Sequence, residues 1–245
     1  MDSWSVLGKI RESRACAHEV VYAHEVMDEH AEVRMGGYNV DNIRRNITRV
    51  YKHENYQFFY VKRMTNDFDI AILQLEKVVS FGYNIQPICL PQSSRIDYSE
   101  KIATAIGLYD TGSLVTLKLY SRSKAQKTHI QIWTNEQCGK LPKYVNKITD
   151  NMVCAGDKAR LSEYMFHDFD FGHLVIENEH GSMELVGIYS FGDRSSFSYG
   201  TPIVYTYVAD FLPWIQSKIT NQCTYTPKQA SHDENLEQTC IFNQG

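Results

Sequence analysis

The feature that most constrains this chain is a succession of short segments with the two-residue period of β-strands. Segments 31–40 (AEVRMGGYNV), 57–61 (QFFYV), 71–75 (AILQL), 101–107 (KIATAIG), 114–120 (LVTLKLY) and 128–133 (THIQIW) suit strands. So do 174–177 (LVIE), 183–191 (MELVGIYSF) and 202–208 (PIVYTYV). Several alternate apolar and polar residues, and turn formers separate them. A run of many short strands argues for a barrel or sandwich. Only one segment breaks the period. Val208, Phe211, Leu212, Ile215 and Ile219 fall at helical spacing, with Asp210 expected to cap and Pro213 expected in the first turn. After this C-terminal helix, 221–245 is a polar tail.

The 245 residues suffice for a sizeable core without staples. A net charge of −4 leaves no general footprint for nucleic acid, and no apolar run reaches membrane-spanning length. Six cysteines (Cys16, Cys89, Cys138, Cys154, Cys223, Cys240) form no CxxC pair. Widely spaced disulfides, and hence an oxidising compartment, fit them better than a metal knuckle. The start, MDSWSVLGKIRESR, has no apolar run of signal-peptide length, which taken literally keeps the chain in the cytosol. These two signals disagree. Asn46-Ile47-Thr48 is an Asn-x-Thr glycosylation triplet.

Four segments in order carry a family resemblance: FDIAILQL within 66–75, QPICLP at 86–91, DNMVCAG at 150–156, and VGIYSFG with TPIVYTYV at 186–192 and 201–208. From about residue 31 to 219 the chain resembles the trypsin-like (chymotrypsin-fold, S1) serine proteases of the insect extracellular type. The resemblance implies an all-β fold of two six-stranded antiparallel barrels with the active site between them and a C-terminal α-helix. It implies a protease domain over 1–220 that is N-terminally incomplete, since the stretch between Cys16 and His24 is too short for the family's first strands. It also implies a Cys138–Cys154 disulfide and an extracellular location.

Carried over residue by residue, the family's machinery is degenerate. The Ser-His-Asp template needs a hydroxyl, an imidazole base, an orienting carboxylate and backbone donors for an oxyanion. Asp69 takes the carboxylate place. His24, in VYAHE, takes the histidine place, with His18 in the duplicated AHEV as its rival. The family's DxCxGDSGGPLV becomes YMFHDFDFGHLV at 164–175, so Asp170 stands at the serine and Asp168 at an oxyanion-hole glycine. A carboxylate has no proton to surrender to a base at neutral pH, and losing the serine costs a factor of about 10⁶ in rate. A second carboxylate beside the oxyanion hole repels the charge that the hole must stabilise. Phe169 replaces the aspartate that pairs with the new N-terminal amine of an activated enzyme. Tyr164 and Ile203 bring large side chains to the base and wall of the substrate pocket, while Ser190 and Gly192 keep the wall strand that pairs with an extended peptide.

The expectation is a non-catalytic serine protease homologue. It would bind or regulate proteins, proteases or zymogens among them, in an extracellular cascade such as those of insect immunity and melanisation. The runner-up is an active serine endopeptidase with another nucleophile. A metal site built from His167, Asp168, Asp170 and His173 is the weaker competing idea. No metal and no cofactor is expected.

Overall fold

The structure is a computed structural model. It describes residues 19–22, 32–37, 40–56, 66–77, 79, 85, 87–93, 96–110, 123–156, 169–179, 181–192 and 201–219. The expected strands at 57–61 and 114–120 and the tail at 221–245 lie outside these residues.

The first half forms one four-stranded antiparallel sheet. Its strands are β1 (Glu19–Tyr22), β2 (Glu32–Gly37), β3 (Val40–Lys52) and β4 (Ala71–Leu75), in the order β1-β4-β3-β2. The segment 31–40, expected as one strand, thus supplies β2 and the first residue of β3. The two pair as a hairpin, with Met35 opposite Ile43 and Gly37 opposite Val40. Leu73 and Leu75 of β4 bury against Val33 and Val79 to form the small core of this half.

The second half closes as a six-stranded antiparallel barrel in the order β10-β7-β6-β5-β8-β9. Its strands are β5 (Ile102–Asp110), β6 (Ser123–Trp133), β7 (Met152–Gly156), β8 (Phe169–Glu177), β9 (Met183–Phe191) and β10 (Ile203–Tyr207). Closure leaves no open edge to satisfy. Ala103, Ala105, Ile130, Ile132, Ala155, Leu174, Val186 and Tyr205 fill its interior. Among the described residues, then, the fold is mostly β, with one closed barrel, a second sheet and a C-terminal helix.

Between β6 and β7 lies the short helix α1 (Asn135–Gly139). Thr134 starts it with a capping box: its hydroxyl accepts from the Gln137 amide while the Gln137 side chain accepts from the Thr134 amide. The helix presents Cys138 to Cys154 of β7, and the two form the expected disulfide with Cα atoms 6.4 Å apart.

A 3-10 turn (Val208–Phe211) leads into helix α2 (Leu212–Ile219). Pro213 falls in the first turn, as expected. Asp210 is not a cap: the 3-10 turn starts at Val208, which places Asp210 inside it, and Tyr207 in the cap position makes no side-chain bond there. Phe211, Leu212, Ile215 and Ile219 pack against Ile70 and Ile72 from the first sheet and Val175, Leu185 and Ile188 from the barrel. The helix therefore seals the seam between the halves. At its outer face Glu54, just beyond β3, accepts from the Trp214 indole at 2.8 Å and from Lys218. No helix among the described residues is long and apolar enough to cross a membrane.

The disulfide closes a short loop, for which chain entropy gives about 3 kcal/mol. Replacing Cys138 and Cys154 together by Ala should lower stability by about that amount, read as an earlier urea midpoint, with a somewhat steeper slope as the unlinked denatured chain expands.

Candidate active site

The seam between the sheet and the barrel carries one buried carboxylate. Asp69 is 2% exposed, at the entrance to β4. A carboxylate in that setting requires hydrogen bonds. Ser190, at the end of β9, donates its hydroxyl to Asp69 Oδ2 at 2.5 Å, and Thr206 of β10 donates to the Asp69 backbone oxygen at 2.7 Å. Both donors come from the barrel, so Asp69 is tied, through side chain and backbone, to the half to which it does not belong.

The turn that delivers Asp69 is held from several sides. Phe68 adopts φ 57°, a left-handed conformation that a bulky residue keeps only where its surroundings impose it. Asp67 supplies part of that constraint. Its Oδ1 accepts from the Phe68 amide at 3.0 Å, from Thr149 Oγ1 at 3.0 Å and from Asn151 Nδ2 at 2.9 Å. The Phe68 ring stacks on His53 at 4.9 Å and meets Phe211 edge-on at 6.1 Å. His53 in turn contacts Trp214 of α2 at 5.0 Å, and burial lowers its pKa. The sequence reading missed both Asp67 and the hydroxyl of Ser190. Asp67 lies inside the NDFD stretch that carried the resemblance, but nothing in one sequence shows that it reaches residues 149 and 151.

One wall of the site is the end of β9 beside the start of β10. Gly192 has φ 150°, a backbone region that favours glycine. A Cβ there would stand 2.8 Å from Ile203 Cδ1 and 3.5 Å from Tyr144 Oη. Ile203 is fully buried. Tyr144 is buried too; it donates to the Pro202 carbonyl at 2.6 Å and meets Phe191 edge-on. The space between the two strands at Gly192 is therefore occupied by the Ile203 side chain. Tyr189 donates to the Gly192 carbonyl at 3.2 Å and braces the end of the wall.

Asp170 sits in β8, opposite Leu108 of β5, with Phe169 opposite Tyr109. The strand expected from 174 begins five residues earlier, at Phe169, because the stretch before Leu174 continues the ladder along β5. His24, its rival His18, Tyr164, Asp168 and His167 lie outside the described residues. Of the expected site residues, the structure brings together Asp69 and Ser190, and it packs Gly192 against Ile203. A carboxyl group has acceptor capacity beyond the one bond from Ser190; the role that the resemblance gives Asp69, orienting His24, involves a residue outside the described ones.

Among the described residues no group of three or more His, Cys, Asp or Glu side chains could hold a metal. His173, one of the residues weighed as a ligand, is 1% exposed, and neither ring nitrogen has a hydrogen-bond partner. Burial pushes its pKa down to about 4, so the imidazole is neutral in the fold.

Two β halves joined across a seam that buries an aspartate define a class of protein as well as a shape. A family model described as "Trypsin" matches residues 15–215, and the chain belongs to that family. It is similar to the clotting factor G beta subunit of Tachypleus tridentatus, 30% identical over 197 residues, which are 75% of this chain and 60% of that protein. It is also similar to transmembrane protease serine 9 of Rattus norvegicus (30% over 183 residues, 75% of this chain and 16% of that protein). Transmembrane protease serine 11B of Homo sapiens is 32% identical over 184 residues, 74% of this chain and 41% of that protein. The chain thus matches less than two thirds of the length of each.

Removing the Asp67 carboxylate leaves three donors unmatched and frees a strained turn. Asp67→Ala should destabilise the fold by about 2–3 kcal/mol, and Asp67→Asn, which keeps an acceptor oxygen, by less; chemical denaturation of both variants checks this. A second expectation concerns pH. The folded-state pKa of His173 lies below its ordinary 6.5, so its contribution is complete above pH 6.5. As pH falls from there toward 4, the unfolded chain takes up a proton that the folded chain refuses. Stability should drop by about 3 kcal/mol across that window, and His173→Leu should flatten this part of the pH–stability curve.

Proposed function

We propose that this trypsin-family chain is a non-catalytic homologue that acts by binding other proteins in an extracellular protease cascade. What carries the reading is the stretch YMFHDFDFGHLV at 164–175, whose register with the family's DxCxGDSGGPLV sets the carboxylate of Asp170 at the nucleophilic serine. An aspartate is a poor nucleophile toward an amide, because the anhydride it would form expels carboxylate before amine. The surroundings favour the same reading. Ile203 fills the space beside Gly192 that a substrate side chain would need. Phe169 and Asp170 lie in a strand paired with β5, which commits backbone of that stretch to a ladder. The resemblance sets Asp168 at an oxyanion-hole glycine, and a carboxylate at that position would oppose a developing oxyanion.

What remains is suited to recognition. The strand end at Ser190–Gly192 is of the kind that pairs with an extended peptide. The similarity to a clotting factor subunit favours a cascade setting, and the disulfides favour an extracellular one. Partners would be proteases or zymogens of such a cascade. The alternative, an active serine-type endopeptidase, has in its favour that the similar proteins are named as proteases.

A panel of peptide ester and amide substrates, with labelling by a fluorophosphonate probe, separates the two. The expected outcome is no turnover and no label. Asp170→Ser should also show no amidase activity above an Asp170→Ala control, since the filled pocket and the oxyanion position stay altered. One lost oxyanion donor alone costs about 10²–10³ in rate. Robust turnover by the wild-type chain would establish the alternative. Turnover by Asp170→Ser alone would confine the loss to the nucleophile.

A further inference from the structure

Asn46-Ile47-Thr48 is the single Asn-x-Ser/Thr triplet in the sequence, and it lies on β3, away from the buried Asp69. Alternate residues of a strand share a face. Asn46 and Thr48 are both exposed, while Ile47 between them packs against the Val33, Leu73, Leu75 and Val79 core. The apolar middle residue anchors the triplet and turns the acceptor amide and the hydroxyl to solvent together. A β-bulge falls here as well: Ile47 pairs with Leu75 but Arg49 with Gln74, so Thr48 is the extra residue. Thr48 Oγ1 donates to the Gln74 carbonyl at 3.2 Å, and Asn46 Nδ2 donates to Glu76 Oε2 at 2.9 Å. Arg44 and Arg49 beside the triplet are exposed, so a bulky polar group at Asn46 would cover little apolar surface.

A second observation is independent of the triplet. No cysteine among the described residues is free: Cys89, Cys138 and Cys154 are all oxidised. Persistent disulfides mark the oxidising secretory route, which is also where oligosaccharide is transferred to asparagine. Sequence motif, solvent-facing geometry and redox state therefore agree.

We propose that Asn46 is an N-glycosylation site. The donor is a lipid-diphosphate-linked oligosaccharide. The Asn46 amide nitrogen bonds to the anomeric carbon as that carbon's bond to the phosphate oxygen breaks. The lipid diphosphate leaves, and the nitrogen gives up one proton. The product amide keeps one N–H, so the nitrogen can still donate one hydrogen bond. Modification and fold are therefore compatible, whatever the chemistry of the cleft.

The test expresses the full chain behind a cleavable secretory leader in eukaryotic cells. Total translocated protein, secreted and retained, is read by peptide mass spectrometry before and after treatment with a peptide-N-glycosidase. The expected result is one glycan on the peptide spanning Asn46, removed by the enzyme with conversion of the amide to an acid. Asn46→Gln and Thr48→Ala should lose the mass shift, and Thr48→Ser should keep it. Unmodified Asn46 throughout the translocated wild-type pool overturns the proposal, as does a glycosidase-sensitive shift that persists in Asn46→Gln. Occupancy is read on wild-type protein, so a variant that misfolds does not weaken the result.

Discussion

Burial of one carboxylate organises the seam of this protein. Asp69 leads into β4 of the first sheet, yet Ser190 and Thr206, which hold it, belong to the barrel. A carboxyl group removed from water is tolerated only while its polar atoms are matched. Any sliding of sheet against barrel would part Asp69 from its donors and leave a buried polar group unsatisfied. The apolar seal around it, with Ile70 and Ile72 on one side and Val175, Leu185 and Ile188 on the other, is non-directional. Such a seal brings the halves together without fixing their register. The polar contacts at Asp69 and Asp67 are directional and therefore fix it.

Helix α2 and the Phe68 turn extend this arrangement outward. Phe211 reaches both the apolar seal and the ring of Phe68, and His53 bridges Phe68 to Trp214. The left-handed Phe68 is thus gripped by the ring of His53 after β3 and by that of Phe211 in the 3-10 turn before α2, while Asp67 binds its amide. Local strain in the turn is balanced partly within the first half, by His53 and Asp67, and partly by Phe211, Thr149 and Asn151, whose contacts exist only when both halves are assembled.

The parts of the fold that could be read in advance were those whose signal is local. Segment 183–191 coincides with β9 because its composition and bounding turns define it. The end of α2 was legible from the spacing of Leu212, Ile215 and Ile219. By contrast β3 was not, for a physical reason. Arg45 takes a partly buried position where alternation would lead one to expect an apolar residue, and the bulge at Thr48 then breaks the period of two. β7, MVCAG, is buried at every position, and so short an apolar run carries no period. At the site, the resemblance singled out Asp69, and the apolar strand that follows it made its burial legible. The struts from Asp67 to Thr149 and Asn151 join residues more than 80 positions apart, a kind of proximity that only the folded chain creates. The bond from Ser190 to Asp69 was hidden in the same way.

That difference bears on how a chain of this family could keep one part of its site and change another. Asp69 has structural work in the seam apart from any chemistry: its loss would orphan the buried Ser190 hydroxyl and loosen the register of the halves. A nucleophilic hydroxyl has no such duty, since it must be accessible to do chemistry and so contributes little to burial. Selection on stability alone therefore holds the buried carboxylate and leaves the nucleophile position free to change. The pocket behaves differently again. An open pocket is a void in the packing, and voids destabilise. Once no substrate side chain has to enter, a residue such as Ile203 that fills the gap beside Gly192 is favoured by packing alone. On the proposed reading, Asp69 retained, Asp170 substituted and Ile203 packed in are three outcomes of one physical rule: positions that carry fold energy persist, and positions that cost fold energy for the sake of chemistry relax when the chemistry is no longer required.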